Sequence, residues 1–189
     1  RLMPKILQPK DIDFDYIIAT HPHWDHFDID SIPQMMDRTE SQLFASVECR
    51  QYEDRYGIDF RRIKYVKPGD SYNFNEMRIY FIDCDHGMGA PDAVGVIIEV
   101  DNRRILMTGD TCLRLDRVNA YRKYGDIDIL VGPINGTYGN MNEQDFVELS
   151  KALSPKLTIP CHFGMFASHG GDPRKFIKIM IGQIGNYML

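Results

Sequence analysis

The chain has 189 residues, 43% hydrophobic and 26% charged, and a net charge of −5. That is the composition of one globular domain, and it excludes disorder as the main state. An apolar run of eighteen residues is missing, so no membrane-spanning helix is expected. The acidic balance (pI about 5.6) disfavours a general nucleic-acid binder.

In chain order, the first β-branched, apolar run is Asp15–Thr20, read as a strand. Ile29–Arg38 follows with apolar residues at helical spacing, and Glu48–Tyr56 reads as a short helix. Strands are then expected at Met77–Ile82, Val94–Val100, Ile105–Thr108, Ile127–Ile134 and Leu157–Pro160. Asp101-Asn102 has the chemistry of a tight hairpin turn. Asn142–Leu153 is the clearest helix, with Asn142 as cap, acids in the first turn and Pro155 after its end. Asp172-Pro173 reads as a cap and first-turn proline opening a last helix to about Met180. Strands and helices mix in both orders, which makes the class α/β or α+β and the whole of 1–189 one domain. The four cysteines, Cys49, Cys84, Cys112 and Cys161, show no paired spacing, so reduced thiols and a cytoplasmic location are expected.

The chemistry concentrates where the first strand ends. His21-Pro22-His23-Trp24-Asp25-His26 places three histidines and an aspartate within six residues. Imidazole nitrogens and carboxylate oxygens converging from one loop are what a divalent ion requires. The other donors repeat the placement: His86 follows Met77–Ile82, Asp110 follows Ile105–Thr108, and His162 follows Leu157–Pro160. Four strands thus finish on ligand-type residues, as functional groups of sheet-based enzymes often do. Five of the six histidines are used, and His169 falls outside the set. Each of His86, Asp110 and His162 alone would be unremarkable; together with HxHxDH they specify a metal site. Cys112 and Cys161, beside two of these donors, are read as small packing residues rather than ligands.

This order of residues resembles the metallo-β-lactamase superfamily, from about Asp11 to Lys175. The resemblance implies two metals. His21, His23 and His86 would hold one; Asp25, His26 and His162 would hold the other; Asp110 would bridge them. With only nitrogen and oxygen donors, Zn²⁺ and Mn²⁺ both suit. The stretches Gly132–Gly136 with Asn140-Met141, and Pro160–Phe166, are similar to the L-ascorbate-6-phosphate lactonase-like branch. The implied fold is an αββα sandwich. Only twenty residues precede His21, so part of the first β-layer is expected to be lacking. The missing strands would belong to a longer chain, or self-association would fill the gap; a homo-oligomer is the expectation.

The implied activity is hydrolysis of a small lactone or ester, anionic and phosphorylated in the lactonase-like case. A hydroxide shared by two metals would attack, and Asp25 or Asp110 would accept the nucleophile's proton. Asp83, Asp85 and Thr111 are candidates to orient the histidines. Asn135, Gly136, Asn140 and His169 are candidates for substrate contact; the glycine-rich segment before Pro173 could receive an anion but reads rather as a capping loop. Arg114, Arg117, Arg122 and Lys123 read as a solvated face rather than a phosphate site. Two alternatives remain open: a phosphodiesterase or nuclease of the same superfamily, and a metal-binding scaffold without turnover.

Overall fold

Alternation along the nine short strands among the described residues sorts this chain into layers. The structure, a computed structural model, describes residues 7–38 and 40–184. A parallel sheet forms from β1 (Tyr16–Ala19), β2 (Gln42–Ser46) and β3 (Ile63–Val66), in that order. Leu43 and Ala45 of β2 point one way, with Ala19 and Ile63, onto a helical layer. That layer holds Ile32 and Met36 of α1 (Ser31–Arg38), and Cys49 in the 3₁₀ turn that runs into α2 (Glu53–Tyr56). Phe44 and Val66 point the other way, into the interface between two sheets. The period of two in strands makes both faces apolar, so each needs its own cover.

The second sheet has six strands whose spatial order follows the sequence. They are β4 (Ser71–Asn73), β5 (Met77–Asp83), β6 (Val94–Val100), β7 (Arg103–Met107), β8 (Ile129–Pro133) and β9 (Leu157–Cys161). Pairing is antiparallel from β4 to β7 and parallel from β7 to β9. The β6–β7 hairpin closes through Asp101-Asn102, both in the left-handed region (φ 49° and 56°), as a two-residue type I′ turn requires. Ile79, Phe81, Val94 and Val96 meet Phe44 and Val66 across the interface. On the outer face, Ile97, Leu106 and Leu130 pack beneath α3 (Val118–Arg122), α4 (Glu143–Leu153) and α5 (Pro173–Ile184), with Phe146, Val147 and Phe176 at the centre. Helices outside and two sheets inside give the expected αββα sandwich.

Every strand expected from the sequence is present within two residues at either end. Three strands were not anticipated: β2, β3 and β4. They are three to five residues long, too short for alternation to show, and β2 (QLFAS) has no β-branched residue. The Asn142 cap is a full capping box: Asp145 N donates to Asn142 Oδ1 (3.0 Å) and Asn142 N to Asp145 Oδ2 (3.1 Å).

Among the described residues, three strands face six. The row Met107–Val131–Ile159 lies on the same face as Val96, toward the first sheet, yet Met107 is 42% and Ile159 41% exposed. Among the described residues, β1 has a strand partner on one side only. Beside that edge the second sheet presents Met107 and Ile159 on a half-open apolar face. None of the described helices is long and apolar enough to cross a membrane.

Candidate metal centre

All the expected donors meet at one end of the two sheets. β5, β7 and β9 run the same way, since two antiparallel steps relate β5 to β7 and parallel pairing relates β7 to β9. Their C-terminal ends therefore deliver His86, Asp110 and His162 to one edge. β1 delivers the histidine loop to the same place, fixed at its start by Val94 N donating to Thr20 O (2.9 Å). The loop then closes a turn, with His26 N and Phe27 N both donating to His23 O (2.9 and 2.7 Å). Phe27, 1% exposed and stacked on Tyr56 at 4.1 Å, pins its far end in the core.

Two backbone conformations are needed to aim the donors. Gly109 has φ +68°, and a Cβ there would lie 2.9 Å from Val94 O and 3.1 Å from Cys84 Sγ. Only glycine turns the chain from β7 into Asp110 at that approach. His162 itself sits at φ +56°, unusual for a side chain of its size and a form of strain found at functional sites.

The donor atoms fall into overlapping groups: His21, His23 and His86; His21, His26 and Asp110; Asp25, His26 and His162. His86 Nε2 is 3.1 Å from His23 Nδ1, and His26 Nε2 is 3.2 Å from His162 Nε2. Asp25 Oδ2 is 3.4 Å from His162 Nε2 and 3.8 Å from His26 Nε2. Asp110 Oδ2 is 3.1 Å from His162, 3.4 Å from His26 and 4.0 Å from His86, so one oxygen reaches both ends of the cluster. Ligands about 2.0–2.1 Å from a tetrahedral ion stand roughly 3.3 Å apart, the spacing seen here. His21 is fully buried; its Nδ1 meets Thr20 Oγ1 at 3.0 Å and its Nε2 has no protein partner. A buried polar atom without a partner is costly, and a cation satisfies it. The residues present fit a metal, and the first and third groups coincide with the ligand sets implied from the sequence.

Electrostatics prepares the donors. Burial, with His26 next to it, drives His21 down to about 2, and burial also lowers His86, so both rings are neutral with free lone pairs. Asp25 is held at about 2: burial opposes ionisation, but His162 and His26 outweigh it. The same balance, with His26, His162 and Asn140 as partners, keeps Asp110 ionised. Burial pushes the thiols of Cys49 and Cys161 up to about 12, and that of Cys84 higher. No cysteine belongs to a donor group among the described residues; Cys112 and Cys161 are half-buried beside them.

The surroundings correct several expectations. Asp83, Asp85 and Thr111 do not orient the histidines. Asp83 pairs with Arg117 (2.7 Å), Asp85 with Arg114, and Thr111 Oγ1 accepts from Asp85 N. Thr20, not anticipated, contacts both His21 and His26 (3.0 and 3.4 Å). Asn135, Gly136 and Asn140 do not line the cavity in front of the cluster. Asn140 instead donates to Asp110 Oδ2 (3.0 Å) and to Asn135 Oδ1 (3.1 Å), behind it. Gly136 bends that loop at φ +62°. The start of α5 is not open to an anion, because Asp172 N donates to Glu143 Oε1 (3.0 Å) and Arg174 N to Asp172 Oδ1 (2.8 Å). His169 does line the cavity, with Trp24 and Phe166.

The Beta-lactamase superfamily domain pattern matches residues 4–162, a span that holds all seven donors and ends on His162. The chain belongs to the beta-lactamase superfamily. Among similar superfamily proteins, a UPF0173 metal-dependent hydrolase of Enterococcus faecalis is 27% identical over 181 residues, covering 91% of this chain and 78% of the relative. The structure of Igni18, a metallo hydrolase from Ignicoccus hospitalis, aligns with TM-score 0.76 at 21% identity, over 92% of this chain and 74% of that one. CmlA, a diiron β-hydroxylase from Streptomyces venezuelae, aligns with TM-score 0.72 at 12% identity, over 91% and 42%. At such identities the structural likeness is one of fold, and a fold carrying hydrolysis and hydroxylation alike does not name a reaction.

Proposed function

We propose that this superfamily member is a metal-dependent hydrolase that opens a small carboxylic ester or lactone. The carrying observation is the donor cluster: seven nitrogen and oxygen donors in three overlapping groups, with one Asp110 oxygen within 4.0 Å of His26, His86 and His162. Metal-dependent hydrolysis is also the activity in the name of the Enterococcus faecalis relative. His21, His23 and His86 would hold one divalent ion and Asp25, His26 and His162 a second, Zn²⁺ or Mn²⁺, with Asp110 between. Bound there, two such ions supply an activated water at neutral pH and a Lewis acid for the carbonyl oxygen.

The chain's own residues do the rest. Asp25 and Asp110 both border the cavity, but Asp110 already accepts from Asn140 and touches three histidines. Asp25 would therefore take the nucleophile's proton, with His162 3.4 Å away to hold it in position. The cavity of about 350 Å³ suits a small molecule rather than a polymer. A lactone is favoured over a phosphodiester because no lysine or arginine borders the cavity among the described residues.

The test is elemental analysis of protein purified without chelators or a polyhistidine tag, followed by hydrolysis of a lactone, bis-p-nitrophenyl phosphate and a thioester. About two equivalents of zinc or manganese and turnover of the lactone are expected. His26→Ala should lose one equivalent and the activity. Metal-free protein, or a His26→Ala variant with full activity, would sink the proposal.

A further inference from the structure

The cavity in front of the cluster has an aromatic wall that the proposed chemistry leaves unused. His169 stacks on His162 (centroids 4.8 Å apart, planes at 18°). Phe166 meets His169 edge-on at 5.0 Å, Tyr138 meets it at 5.7 Å, and Trp24 meets Phe166 at 4.8 Å. The band thus runs from a donor histidine out to the mouth. Its members come from three separate loops, after β1, β8 and β9.

The outer rings are poorly placed for a purely structural role. Trp24 is 67% and Tyr138 63% exposed. Tyr138 also sits at φ +56°, a backbone state that a bulky residue rarely adopts. Large apolar rings held in water beside a concave site mark a binding surface. The polarity of the wall agrees. Arg114 and Arg117, which follow the Asp110 turn, are paired with Asp85, Asp116 and Asp83.

We propose that the band Trp24–Phe166–His169–Tyr138 selects the substrate, and that it takes an uncharged molecule carrying an aryl or similarly flat apolar group beside the scissile bond. This rests on the hydrolytic reading of the donor cluster. A ring entering the mouth would find edges and faces at the offset and edge-on separations that aromatic pairs prefer. The phosphorylated substrate of the lactonase-like expectation would find no lysine or arginine there among the described residues.

Three γ-butyrolactones sharing one scissile bond test this, with phenyl, methyl or phosphooxymethyl at the γ-carbon. A second readout needs no turnover: Trp24 is the only tryptophan of the chain, so its fluorescence reports binding of the slow-reacting γ-phenyl lactam. The phenyl lactone should show the highest kcat/KM, and the lactam should shift the fluorescence saturably. Phe166→Leu, which removes the ring but keeps a large apolar side chain, should lower the phenyl-to-methyl ratio of kcat/KM about three- to tenfold. Tyr138→Leu serves the same purpose on a more exposed position. Equal rates for phenyl and methyl, or a preference for the phosphorylated lactone, would overturn the proposal while leaving hydrolysis intact. No turnover of any lactone with a saturable fluorescence shift would keep the aromatic selection and remove the hydrolytic reading. Neither turnover nor shift would remove both.

Discussion

Asn140→Ala is the sharpest probe of how the Asp110 carboxylate is held. Asn140 Nδ2 sits 3.0 Å from Asp110 Oδ2 and 3.1 Å from Asn135 Oδ1, and the residue is 7% exposed. Asn135 is in turn fixed by its own amide, which donates to Thr137 Oγ1 and Thr137 O. Truncation removes the hydrogen-bond donor of an ionised group and leaves the Asn135 carbonyl facing a void. A hydrogen bond to a charged group is worth about 1.5–3 kcal/mol, or roughly ten- to a hundredfold in an equilibrium constant. Loss of partners that orient metal ligands costs a similar 10–100-fold in affinity or activity.

The assay is competition for zinc or manganese against a chromophoric chelator, beside thermal unfolding of the metal-free protein. Asn140→Ala should weaken metal binding by about ten- to a hundredfold. Asn140→Asp should destabilise the metal-free protein further, because a second carboxylate would lie where the amide donated. A metal affinity within twofold of the native value, with a lowered melting temperature, would refute the reasoning. Asn140 would then be supporting the loop after β8 and not the carboxylate.

Gly109→Ala should destabilise the fold by about 1–3 kcal/mol, since the new Cβ meets Val94 O and Cys84 Sγ at a left-handed φ; an unchanged unfolding midpoint would contradict this. Asp128 is held at about 2, below its ordinary 3.8, by Lys156, the Arg104 amide and Arg103. A lowered folded value gives stability that is present above about pH 4 and lost as pH falls from there toward 2. Urea unfolding across that range should show the loss in the native chain and a smaller one in Asp128→Asn. Burial of Cys49 and Cys84, and the raised thiol values of these and of half-buried Cys161, predict that Ellman's reagent at pH 8 finds less than one fast thiol in folded protein and four after denaturation. Two or more fast thiols would mean that these side chains are not packed as described.

What could be read in the sequence follows the range of the interaction concerned. The histidine loop is contiguous, so HxHxDH alone exposes four donors to inspection. His86, Asp110 and His162 each follow a strand whose apolar run is legible, and the parallel directions of β5, β7 and β9 turn that shared position into shared space. Asn140 escaped because its partner is thirty residues away and its local pattern, an asparagine beside glycine, has the same chemistry as any turn. Thr20 escaped for the opposite reason: it adjoins the motif, but nothing in a threonine at a strand end says which way its hydroxyl points.

The aromatic wall shows where pattern reading stops. Trp24 lies inside the metal-ligand motif, yet it is among the most exposed large side chains. Tyr138 and Phe166 belong to loops without periodicity, and those loops meet only because the glycine pair before α5 lets backbone touch backbone. A Cβ on Gly170 would lie 2.4 Å from Asn135 O, and one on Gly171 2.9 Å from Ile134 O. The same close approach brings His169 against His162 while Asn135 and Asn140 stay behind Asp110. Donor placement is thus encoded locally at strand ends, whereas the aromatic wall depends on how three distant loops pack. Local motifs are legible one at a time in a sequence, and the packing of loops without periodicity is not.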